Sequence, residues 1–194
     1  MKEIEKLVES LTMLQGVGEK TATRYAYEIL EMNQEKRKLL LDTIQGLEQI
    51  KRCQICNCYT LDNICEYCQD KDRDTKVLLI IAYPKDINKI ESILPGKYKY
   101  FVLDGVIDPL NGKRVEDLKV KELLDLIEKR QVEELILVLP TNSEGEMTAA
   151  YLKKILENYQ IKFTKLAQGV PIGGSLEYLD ELTLLKSIEH RQQF

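Results

Sequence analysis

The chain has 194 residues, 44% of them hydrophobic and 31% charged, which suits one large globular domain or two small ones. Its 28 basic and 32 acidic side chains give a net charge of −4, which excludes a protein that coats nucleic acid through bulk charge and leaves room for a local basic site. No apolar run approaches the roughly 20 residues that span a bilayer, and MKEIEKLVESL mixes acids into what would be the basic and apolar zones of a signal peptide, so a cytoplasmic location without a membrane partner is expected.

Residues 1–52 read as helical. Ile4, Leu7, Val8 and Leu11 form one stripe, and Ala22, Tyr25, Ala26, Ile29 and Leu30 form a second at the same period. Leu39, Leu40, Ile44, Leu47 and Ile50 suggest a third helix, with Gly46 as its weak point. Nine basic and nine acidic side chains share this segment, so a DNA site here has to come from placement.

Between the first two stripes lies Leu14-Gln15-Gly16-Val17-Gly18-Glu19-Lys20-Thr21-Ala22. Gly16 and Gly18 allow a tight turn and bring backbone N–H groups close to whatever approaches it. The next helix starts just after, so its free N–H groups and dipole face the same point. Lys20 and Arg24, four residues apart, lie on one face of that helix. The set suits a DNA phosphate backbone and reads no bases. An ordinary helix–loop–helix whose glycines merely turn the chain is the alternative, since a lone G-x-G is a weak signal.

Residues 53–75 are polar and hold all five cysteines. Such a segment buries no core of its own and needs a staple. Cys53, Cys56, Cys65 and Cys68 form C-x2-C-x8-C-x2-C, in which each pair places two thiolates on one tetrahedral zinc ion. Four thiolates leave no open position, so the ion is expected to be structural, one per chain, and to supply folding energy. Cys58 reads as a spare that could exchange with Cys56. The alternative, two redox-active pairs, needs nearby cations or a helix N-terminus to lower a thiol pKa, and Asp62, Glu66, Asp70 and Asp72 surround these instead.

From residue 76 the pattern alternates. Strands are predicted at 77–82, 98–104, 134–140 and 161–167, and helices at 84–94, 115–130, 146–159 and 176–191. Strands separated by helices of this length imply a parallel sheet with right-handed crossovers. VLLIIA (77–82) has the aliphatic run of a strand buried on both faces. The fold class expected is therefore α/β, α+β overall: a helical domain over 1–52, a four-cysteine finger over 53–75, a parallel-sheet domain over 76–170 and a helical segment over 171–194.

This order of parts resembles the recombination mediator family RecR. GVPIGGSLEYLDELTL (169–184) is similar to its C-terminal signature, TNSEGEMTAAYL (141–152) to its E-G-E-x-T-A segment, and GVIDPLNGKRVEDLKVKELL (105–124) to the stretch after its second Toprim strand. The resemblance covers essentially the whole chain. It implies a helix-hairpin-helix domain, a four-cysteine zinc finger, a Toprim domain and a C-terminal segment, assembled as a homo-tetramer or dimer able to encircle DNA. It further implies RecO and RecF as partner proteins in loading recombinase at single-stranded gaps. Lys20 and Arg24 match the family's DNA-contacting positions, and Cys53, Cys56, Cys65 and Cys68 its zinc ligands.

The chain also departs from the family. Ala82 and Tyr83 stand where Toprim proteins carry an acid at the end of the first strand, and the N-P-T before E-G-E reads Pro140-Thr141-Asn142. Metal-assisted phosphoryl transfer needs several converging carboxylates. Glu144 and Glu146 remain as a candidate magnesium or partner site, with Asp104 and Asp108 as helpers. The same glutamates suit the first turn of a helix. Asp180 and Glu181 are assigned to a subunit or RecO contact, against a solvated helix face. His190 is expected on the surface, and no G-x-x-x-x-G-K-[ST] phosphate loop exists in the chain. The leading reading is a non-enzymatic clamp and adaptor. The alternatives are a magnesium-dependent Toprim nuclease or primase-like enzyme, for which Ala82 is unfavourable, and a zinc-ribbon assembly factor that binds only protein.

Overall fold

The computed structural model describes residues 2–191, so residue 1 and the last three residues of the predicted 171–194 segment lie outside it. The chain divides into two compact units, Met1–Ile50 and Lys51–Phe194. No helix among the described residues is long and apolar enough to cross a membrane.

The first unit holds three helices, α1 (Lys2–Thr12), α2 (Glu19–Glu31) and α3 (Gln34–Gly46). Ala22 and Ala26 are fully buried where α2 meets α1, because their small side chains allow close helix approach. Asn33 caps α3 by accepting from the Lys36 amide at 2.9 Å, which starts the helix five residues before its apolar stripe. The stripe itself is not a core: Leu39, Ile44 and Leu47 are exposed.

The second unit opens with a short antiparallel hairpin, β1 (Lys51–Arg52) and β2 (Tyr59–Thr60), followed by one helical turn, α4 (Glu66–Gln69). Next come β3 (Asp74–Ile81), α5 (Ile87–Glu91), β4 (Tyr98–Val102), α6 (Val120–Arg130), β5 (Glu134–Val138), α7 (Ser143–Ile155), β6 (Lys162–Lys165) and α8 (Glu181–Glu189). The four long strands form the parallel sheet that the alternation predicts, in the order β4-β3-β5-β6.

Strand alternation sends side chains to two faces. Leu78, Ile80, Phe101, Leu135 and Leu137 pack against Leu123 and Ile127 of α6 and Leu152 of α7. Leu79, Ile81, Tyr100 and Val102 pack on the other face against Ile87 and four of the five cysteines. Burying each such aliphatic or aromatic side chain contributes about 1.5–3 kcal/mol. The cysteine segment is thus one of the covers of the sheet.

Helix ends depart from the predicted ranges for local reasons. The 115–130 helix is broken at Leu118, which is extended and buried, and the Lys119 amide donates to the Leu103 carbonyl. The 84–94 helix shrinks to α5 after a single 3₁₀ turn opened by Pro84. Pro95 disfavours helical backbone at Leu94. α7 begins three residues early, since the Asn142 side chain caps it through the Gly145 amide at 3.0 Å. α8 starts at Glu181, where Asp180 accepts from the amide and hydroxyl of Thr183.

Candidate metal centre and nucleic-acid hairpin

In the first unit, Gly16 adopts φ +83°, a left-handed conformation that costs glycine little. Gly18 is the extended N-cap of α2 and offers no side-chain cap, so the first amides of the helix face outward unpaired by any cap. A Cβ placed on either glycine would meet nothing within 4 Å, so the space before the turn is open. Lys20 and Arg24 are exposed one turn apart; Arg24 pairs loosely with Glu28 at 3.9 Å and lies over the Tyr25 ring, 5.2 Å from its centroid. An exposed pair of this kind contributes little to stability, so the guanidinium is available to a phosphate.

In the second unit, the Sγ atoms of Cys53, Cys56, Cys65 and Cys68 lie within 4.8 Å of one another. A zinc ion with arms of about 2.3 Å puts its sulfurs about 3.8 Å apart. Among the described residues this is the one group of three or more metal-binding side chains close enough to share an ion. The first pair is held by a tight knuckle, in which Cys53 N–H donates to the Cys58 carbonyl and Asn57 N–H to the Cys53 carbonyl, with Asn57 at φ +61°. The second pair is set by α4, with Cys65 as its N-cap and Cys68 within its single turn. Cys58 is buried too, its Sγ 3.3 Å from that of Cys56.

The cysteine segment is fastened to the edge of the sheet. Val102 donates to the Cys56 carbonyl at 2.9 Å and accepts from the Asn57 side chain at 3.0 Å. Arg52 bonds the Asn57 carbonyl and the Asp104 carboxylate, and stacks on Tyr59.

The carboxylates named for a magnesium site are each engaged elsewhere. Asp104 pairs with Arg52 at 2.6 Å, and Glu146 accepts from Lys165 and Gln168, each at 2.9 Å. The Lys165 bond holds Glu146 below the ordinary carboxylate range. Glu144 accepts from Ser143, and Asp108 accepts from Asn111. Ala82 is wholly buried, its carbonyl accepting from the Gly105 amide. His190 is exposed at the end of α8.

Models of known families match most of the chain: RecR helix-hairpin-helix over residues 4–47, a Toprim domain over 76–167, and the RecR C-terminal region over 169–192. Recombination protein RecR of Natranaerobius thermophilus is 37% identical over 99% of this chain and 97% of its own. Those of Treponema denticola and Enterococcus faecalis are 37% and 36% identical, over 100% and 98% of this chain and 100% and 96% of their own. The chain belongs to the RecR family.

The E-G-E-x-T-A segment has a structural basis here. A Cβ on Gly145 would lie 1.8 Å from the Pro140 carbonyl oxygen, so only glycine fits that turn. Thr148 is fully buried, accepting from the Ile107 amide and donating to the Glu144 carbonyl. Sequence reasoning singled out the two glutamates and passed over Gly145 and Thr148. It also passed over Arg52, Lys99 and Arg130, whose bonds to Asp104, Tyr67 and Cys68 span 52, 32 and 62 residues and leave no local pattern.

Proposed function

We propose that the chain acts in recombinational DNA repair as a non-enzymatic clamp and adaptor, stiffened by one structural zinc ion. The observation that carries this reading is the open turn at Gly16 and Gly18, where uncapped helix amides stand beside exposed Lys20 and Arg24. Amides and cations arranged in this way bind backbone phosphates in any sequence. The names of the relatives support recombination as the setting.

Zinc suits the soft, closed set of four cysteines, which gives no open coordination position for chemistry. The orphaned Arg130 Nη1 beside the cluster fits a centre that carries negative charge. Against a phosphoryl-transfer site, Asp104 and Glu146 are engaged by cations and Ala82 is buried where an acid would be needed. Exposed Leu39, Leu41 and Ile44 in the first unit, and Ile172, Tyr178 and Leu182 in the second, are suited to contacts between copies in a dimer or tetramer. RecO- and RecF-type proteins are the proposed partners, with Glu144, Asp180 and Glu181 on the presented surface, in the cytoplasm.

The test is a gel-shift titration on gapped duplex DNA at several salt concentrations, with and without magnesium. A salt-sensitive shift with intact DNA is expected, with a slope that falls by about 0.9 for each phosphate contact removed. Lys20→Glu combined with Arg24→Glu should abolish it. Unchanged binding by that double variant, or magnesium-dependent nicking by the parent chain, would overturn the reading.

A further inference from the structure

Four thiolates around one divalent ion carry a net charge of roughly −2. Cys53, Cys56 and Cys65 are buried, so this charge sits out of water and needs counter-charge nearby. Two cations in the α/β unit meet that need. Lys99, on β4, is 3% exposed, and its ammonium donates to the carbonyls of Tyr67, Cys68 and Asp70 around the second cysteine pair. Arg130 ends α6; its Nη2 lies 3.9 Å from Cys68 Sγ, and its buried Nη1 has no hydrogen-bond partner among the described residues.

Neither cation enters an ion pair among the described residues. Arg73 nearby is different, because Glu91 and Asp70 already neutralise it. Lys99 and Arg130 both reach the second cysteine pair, the first at the Cys68 carbonyl and the second at the Cys68 Sγ. Cations gathered there are stabilised by an anion beside them. The helix dipole also favours a cation where Arg130 stands, but that accounts for neither its aim at sulfur nor the burial of Lys99.

We propose that Lys99 and Arg130 are positioning residues for the metal centre, supplying its counter-charge and tying ion retention to the docking of the cysteine segment on the sheet. The inference rests on the zinc reading above. Both residues come from outside the cysteine segment, so a finger peptide alone lacks them.

The experiment measures zinc per chain in the purified full-length protein, then zinc affinity by chelator competition. The variants are Lys99→Met, Arg130→Gln and the surface control Lys129→Gln. Loss of about tenfold or more is expected for the first two, the usual size for residues that support metal ligands, with the control unchanged. Zinc-saturated circular dichroism verifies that each variant is folded. Affinity in Lys99→Met and Arg130→Gln equal to that of the control would overturn the inference while leaving one zinc per chain intact. A parent chain that binds no zinc would remove both the metal reading and this inference. Should both neutral variants fail to fold, Lys99→Arg and Arg130→Lys decide: near-parental affinity supports a charge role, and a tenfold loss refutes it.

Discussion

The amide of Val102 donates to the carbonyl of Cys56 at 2.9 Å, so the first cysteine knuckle occupies the outer edge of β4. An open strand edge invites pairing with other chains. Here Cys56 and Asn57 together satisfy both the amide and the carbonyl of Val102. The sheet therefore depends on the cysteine segment for a capped edge, as well as for cover over Leu79, Ile81 and Tyr100.

Removing the metal should consequently destabilise more than the finger. Chelation is expected to lower the melting temperature of the protein and to promote aggregation through the exposed β4 edge. Calorimetry with light scattering, with and without a zinc chelator, checks this; identical melting and clear solutions would contradict it. Because the ligands must lose protons to bind, retention should weaken as pH falls.

Gly145→Ala tests the fit of α7 onto the end of β5. The added methyl group would overlap the Pro140 carbonyl, which is backbone and cannot swing away. Such overpacking costs about 1–3 kcal/mol, occasionally more. A urea midpoint shift of that size is expected, with no change in zinc content.

Much of this architecture was legible in the sequence. The runs at Val77–Ala82 and Glu134–Pro140 announced strands because burial on both faces needs unbroken aliphatic stretches. The cysteine spacing announced a cluster able to hold a metal ion because both pairs are local. What could not be read was long-range. Leu118 interrupts a helical pattern because the sheet needs its side chain and the Leu103 carbonyl needs the next amide. The α3 stripe has helical spacing yet lies exposed, since spacing states that a face is to be covered and not by what. Asn142 as a cap was missed because the apolar positions of its helix begin later.

Glu91 is the hub of a buried polar network. It binds the guanidinium of Arg73, whose side chain is 7% exposed, and accepts from the Tyr100 hydroxyl and the Gly96 amide. Burial pushes the Glu91 carboxyl up, but these hydrogen bonds outweigh it and hold it below the usual range. A depressed carboxylate contributes stability above its unfolded value of about 4.3, and that contribution disappears as pH falls through the lower folded value. Glu91→Gln would leave Arg73 with Asp70 as its one carboxylate partner and the Tyr98 carbonyl, at a cost toward the lower end of about 3–5 kcal/mol. Urea unfolding should show a large gap between parent and variant at pH 7, closing in acid. A gap that persists at low pH would mean that shape, and not charge, sets the cost.

The remaining question at the carboxyl ends of the strands is magnesium. In open α/β sheets this is where ligands bind, and octahedral magnesium takes carboxylates that are free to turn toward it. Here Lys165 holds Glu146 from one side and Arg52 holds Asp104 from another, and the buried methyl group of Ala82 offers no ligand. Capture by magnesium would have to break both ion pairs. Titration calorimetry with magnesium chloride is therefore expected to give no site-specific heat, and Glu146→Gln to leave DNA binding unaltered. If the parent chain binds magnesium stoichiometrically and Glu146→Gln abolishes that binding, the lysine pairing is a resting state of an ion site, and the non-enzymatic reading falls with it.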